Sequence, residues 1–103
     1  LSEDSVVRLR KTMYGRLDGD NQCGNCIDLD KLIKDSTPNL TVPLDYKYVN
    51  VDTPEGKSFA DQHKVDDIPV TEVCEIFQSG KEDCKSLTGL DPVKEVVTKY
   101  TKK

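Results

Sequence analysis

A chain of 103 residues, 35% hydrophobic and 33% charged, supports one domain over residues 1–103 with a modest core. Its net charge of −4 gives no support to nucleic-acid binding, and no apolar run approaches the length of a membrane span. Four cysteines are too few for a disulfide scaffold but enough for one active pair and one further pair.

The segment "SVVRLRKTMY", Ser5 to Tyr14, reads as the first strand. Val7, Leu9 and Met13 share one parity, and Lys11 breaks the row. The loop "GRLDGDNQ" follows, rich in turn residues. After Cys23, the residues Cys26, Leu29 and Ile33 fall at helical spacing with Leu32 beside them, while Asp28, Lys31 and Asp35 fall away from that stripe. Pro38 and Pro43 end the helix. "DYKYVNVD", Asp45 to Asp52, has the tyrosines and valines of a buried strand.

Pro54 and Glu55 mark a second helix start, and Gly56 predicts that this helix is short. "IPVTEVCEIF", Ile68 to Phe77, is a third strand, "QSGKED" a turn, and "CKSLTG", Cys84 to Gly89, an antiparallel return. In the last helix Asp91 is expected as N-cap and Pro92 at the first helical position. Val93, Val96, Val97 and Tyr100 form its stripe, and Lys99, Lys102 and Lys103 complement its C-terminus. The order is β-α-β-α-β-β-α: an α/β chain with a four-stranded mixed sheet, a right-handed parallel crossover and helices on both faces.

The pair Cys23-Gly24-Asn25-Cys26 can hold a metal, close an inert loop or carry redox chemistry. The thiolate is the nucleophile, and a helix N-terminus at Cys23 favours it through unpaired amides and the positive end of the dipole. Gly24 is read as letting the chain turn tightly and keeping the approach open. The uncharged Asn25 cannot tune the thiolate by charge. Asp18, Asp20 and Asp28 would oppose the thiolate if close, making the pair less oxidising. Zinc would require two more ligands, and Cys74 and Cys84 are separated by nine residues, on opposite hairpin strands. No metal is expected; the acidic residues read as a solvated face and His63 as a surface or capping residue.

Cys74 and Cys84 have their own geometry. With a three-residue loop, Gln78-Ser79-Gly80, Cys74 faces Cys84 within disulfide reach. With a two-residue loop, Cys74 faces Lys85. Two half-buried free thiols are the other state. A bridge would stabilise the fold by about 3 kcal/mol through loop closure.

The element order, "CGNC", "YVNVDTPEGKSFADQHKVDDIPV" and "FQSGKE" followed by "LTGLDP" together resemble the thioredoxin and glutaredoxin superfamily, over roughly Val6 to Tyr100. The resemblance extends to Asp52 at a strand end, Val65 and Ile68-Pro69. It implies that Pro69 is cis and packs against the cysteine pair, leaving the Ile68 backbone to pair with an extended substrate. It also implies a client groove shaped by Gly24, Asn25, Ile68, Pro69 and Gly89, and a glutathione-like contact at Gly89, Leu90 and Asp91. Several features depart from the family. The strand after Pro69 is longer than in the family, and the extra N-terminal strand and helix of full thioredoxins are missing, so the size is closer to glutaredoxin. Gln22 stands where thioredoxins carry Trp, and the first strand lacks their buried Asp.

The function implied is that of a thiol–disulfide oxidoreductase in electron transport, a protein disulfide reductase with Cys23 as nucleophile and Cys26 as resolving thiol. No cofactor is implied. The partners implied are disulfide-containing clients and an electron donor, either a thioredoxin-reductase type or glutathione. With no Lys or Arg immediately before Cys23, glutathione use is expected to be weak. A monomer in the cytoplasm without nucleic-acid or membrane partners is expected, although the start at Leu1 is compatible with removal of a targeting segment. The alternatives are a redox-inert thioredoxin-fold binding module and, third, a Cys-ligated zinc protein.

Overall fold

The computed structural model describes residues 4–17, 22–63 and 68–102. Asp18, Asp20, Val65 and the side chain of His63 lie outside the described residues. The elements are β1 (Val6–Gly15), α1 (Gly24–Ser36), a short 3-10 turn (Thr37–Asn39), β2 (Leu44–Asn50), α2 (Pro54–His63), β3 (Val70–Phe77), β4 (Glu82–Thr88) and α3 (Asp91–Lys99). The sheet order is β2-β1-β3-β4. β1 runs parallel to β2, from Leu9 opposite Leu44 to Gly15 opposite Asn50. It runs antiparallel to β3, and β3 runs antiparallel to β4.

Strand parity divides the core into two layers. Met13 of β1 packs with Leu29 and Ile33 of α1 and Val93 and Val97 of α3. Leu9 closes one end of that face with Leu40 and Tyr100. On the opposite face Tyr14, Val49 and Val51 meet Phe59 of α2, whose ring stacks on Tyr14 at a centroid distance of 3.5 Å. Because β1 and β2 are parallel, both end at the same edge of the sheet, and α1 starts there.

Three local expectations are corrected. Lys11 does not break the buried row: it is 0% exposed, between Leu9 and Met13. Its amine has no hydrogen-bond partner among the described residues. Gly56 does not shorten α2, which runs ten residues. A Cβ at Gly56 would lie 2.0 Å from the Asn50 carbonyl oxygen, so the glycine lets the helix start press against the end of β2. Asp91 is not the cap of α3: Leu90 occupies that position, Asp91 is already in the first turn, and no side chain caps the helix.

The hairpin takes the three-residue loop. Phe77 N–H donates to Lys81 O at 2.8 Å across the base of the turn, in the register that sets Cys74 opposite Cys84.

 Gly80, with φ +94°, closes the turn by donating its N–H to Phe77 O at 2.9 Å. Cys74 and Cys84 are bonded to each other, with Cα atoms 4.0 Å apart. Cys74 is buried and Cys84 exposed on the edge strand.

Candidate functional site

The site forms where β1 ends and α1 begins. Cys23 is the N-cap of α1, in extended backbone conformation (φ −101°, ψ 122°). Its sulfur does what a cap side chain normally does with oxygen: it accepts the Cys26 N–H at 3.1 Å. One of the unpaired amides of the helix start is thus aimed at the nucleophile, together with the positive end of the helix dipole. The Cys23 sulfur also lies 3.9 Å from the Ile68 carbonyl oxygen. Cys23 is half-buried, whereas Cys26, one turn on, is fully buried; both are free thiols.

Burial pushes the Cys26 thiol up to about 12, and its hydrogen bond with Cys23 adds to the rise. The Arg16 backbone N–H and the Arg16 charge act in the opposite direction. No carboxylate of β1 lies beneath the pair: the inward side chains there are Leu9, Lys11 and Met13.

The structure brings most of the anticipated residues together. The Ile68–Pro69 peptide bond is cis. Pro69 is buried, and its carbonyl accepts the Gly89 N–H at 2.9 Å. Gly89 has φ +84°, so a residue free to adopt the left-handed region ties the start of α3 to the proline. Gly24 and Asn25 are exposed in the first turn of α1. Gly24 is not needed for a tight turn, because it is helical; a Cβ there would meet nothing within 4 Å, so the approach to Cys23 is open. Leu90 and Asp91 stand at the start of α3, but the Gly89 amide is already used by Pro69. Cys74 and Cys84 are tied to one another and are not ligands for a metal at the first pair. Among the described residues no group of three His, Cys, Asp or Glu side chains could hold a metal ion.

Arg16, Gly15 and Tyr48 were not singled out from the sequence. Gly15 is the closest approach of β1 to the pair: a Cβ there would sit 2.6 Å from the Cys26 sulfur. The Arg16 carbonyl accepts the Cys23 N–H at 2.9 Å. Its guanidinium grips Asp52 with two bonds, of 2.9 and 3.0 Å. The pair holds the Asp52 carboxyl below the usual carboxylate range. The signal for it is topological: parallel strands ending together place the residues just past each end side by side. Arg16 and Asp52 also line a groove of about 290 Å³ together with Lys57, Asp61 and Ile68.

No family model matches the sequence, and no curated protein matches it. Solved structures do. A thioredoxin from Plasmodium falciparum superposes with a TM-score of 0.67 at 16% identity, covering 97% of this chain and 75% of that one. Chloroplastic thioredoxin z gives 0.66 at 14% identity, over 89% of this chain and 77% of its own. A Thermus thermophilus thioredoxin gives 0.60 at 16% identity, over 89% and 72%. With the strand order, the cysteine pair at the start of α1 and these likenesses, the chain is a thioredoxin-fold protein.

Proposed function

We propose that this protein is a thiol–disulfide oxidoreductase acting as a protein disulfide reductase. One observation carries the reading: a half-exposed Cys23 sulfur capping a helix beside a fully buried Cys26. The Cys23 thiolate attacks one sulfur of a client disulfide. A Cys23–client bond forms and the second client sulfur leaves as a thiolate, taking a proton from solvent. Cys26, deprotonated, then attacks the Cys23 sulfur, forming the Cys23–Cys26 disulfide and releasing the first client sulfur. The client gains two electrons and two protons, and the protein dithiol supplies them. Ile68, Pro69, Gly24, Asn25 and Gly89 frame the client groove around Cys23. A thioredoxin-reductase-type donor returns the electrons. Glutathione is a poor donor, because the Gly89 amide is engaged by Pro69 and no Lys or Arg immediately precedes Cys23.

Insulin reduction followed by turbidity, with dithiothreitol as donor, tests the reading. The parent should accelerate precipitation and Cys23→Ser should not. Cys26→Ser should form mixed disulfides that survive non-reducing gels. In the reduced parent, iodoacetamide should modify Cys23 before Cys26, by peptide mass mapping. No acceleration above background and no trapped adduct would leave a redox-inert binding module instead.

A further inference from the structure

The reaction above leaves one step unsupported. Cys26 has to become a thiolate in a buried site that offers no carboxylate base from β1. We propose that Arg16, anchored by Asp52, is the positioning residue for resolution: its backbone N–H and guanidinium stabilise the Cys26 thiolate as it attacks the mixed disulfide on Cys23. The inference rests on the dithiol reading and adds a residue to it.

The geometry around Arg16 is built on both sides. Gly15 O accepts the Val51 N–H at 3.1 Å and the Tyr48 hydroxyl at 3.3 Å. Leu17 N–H donates to the Tyr48 oxygen at 3.0 Å. The Arg16 carbonyl holds the Cys23 N–H. The Arg16 backbone is therefore fixed between β2 and the helix start. The absent Cβ of Gly15 brings this strand end against the Cys26 sulfur, and the Arg16 backbone amide next to it favours the thiolate. The guanidinium is fixed in turn by the two-pronged contact with Asp52, a geometry a lysine cannot reproduce.

The sign of the charge matters as much as its position. Arg16 favours the thiolate at Cys26. In the step itself, Cys26 loses its proton to solvent and its electron pair forms the bond to Cys23. The Cys23–client bond breaks, and the client sulfur departs with the bonding pair and is protonated by solvent. Negative charge passes through Cys26, and the Arg16 charge acts to favour it.

Single-turnover reduction of a peptide disulfide separates attack from resolution. Arg16→Gln should slow resolution about tenfold, the low end for removing an opposite charge from beside a titrating group. Mixed disulfide should accumulate. Attack, read in the Cys26→Ser background, should slow less than resolution. Arg16→Lys, which keeps the charge but not the two-pronged contact, should restore part of the resolution rate. A Lys variant as slow as the Gln variant, or equal slowing of both steps, would overturn the proposal. Should Arg16→Gln fail to fold, Asp52→Asn gives a second reading, because an amide offers the guanidinium only one oxygen. Resolution should then slow relative to attack, and an unchanged ratio overturns the proposal. A Cys26→Ser protein that forms no mixed disulfide overturns the dithiol reading, and this proposal with it.

Discussion

Replacing Lys11 with Met should stabilise the protein. Lys11 is 0% exposed, lies in the buried row of β1, and has no partner for its amine among the described residues. Burial lowers its ammonium from 10.5 to about 8. The protein therefore carries a desolvated ammonium at neutral pH. The difference between 10.5 and about 8, at roughly 1.4 kcal/mol per pH unit, corresponds to about 3 kcal/mol. Met keeps an unbranched chain of similar length and removes the charge. At pH 7 Lys11→Met should raise the unfolding free energy by up to about 3 kcal/mol, or the midpoint by up to roughly 12–24 °C.

The pH dependence has a definite sign. Below about pH 8 both folded and unfolded chains hold the Lys11 proton, and the penalty is complete. Between about 8 and 10.5 the unfolded chain holds more protons than the folded one, so the parent gains stability as pH rises. Above 10.5 both forms are neutral and the penalty is gone. Denaturant unfolding of parent and variant, in one redox state, should give curves that converge between pH 8 and 10.5. A variant no more stable than the parent at pH 7, or a gap that stays constant across that range, would refute the reasoning.

Gly56→Ala should cost about 1–3 kcal/mol or more, since the new Cβ meets backbone at Asn50 and Val51 and neither can swing aside. Denaturation midpoints measure it, and a neutral result would mean that α2 does not press on β2 this closely. Removing the hairpin bridge with Cys74→Ala and Cys84→Ala together should cost about 3 kcal/mol. An unchanged midpoint would show that the bond does not constrain the unfolded chain.

The order of elements was legible because each element carries its own period. Cys26, Leu29 and Ile33 mark the inner face of α1, and Val93 and Val97 that of α3. The pairing of Cys74 with Cys84 turned on the length of the loop between their strands, which the sequence left open between two and three residues. What stayed hidden depended on tertiary contact. Lys11 reads as a break in the row because a charge in a strand usually marks the solvent face, yet in the fold it is buried between Leu9 and Met13. Gly56 reads as a weak helix former, and propensity says nothing about the backbone pressed against it. Asp91 reads as a cap, yet the chain enters α3 one residue earlier, at Leu90. Arg16 and Asp52 are 36 residues apart, and Arg16 forms no motif with its sequence neighbours.

That hidden pair bears on how a buried thiol can be made reactive. Burial of Cys26 serves one purpose and opposes another: it leaves Cys23 as the sulfur a client meets, and it disfavours the thiolate that must release the client. A buried carboxylate could take the proton and become a neutral acid, but it would repel the thiolate as soon as it lost that proton again. A cation cannot take the proton, but it stabilises the thiolate throughout the step. With Met13 rather than an acid on the inner face of β1, and Arg16 one-third exposed at its end, this chain has the second arrangement. The proton then leaves by way of solvent, and resolution depends on how firmly Asp52 holds the guanidinium in place.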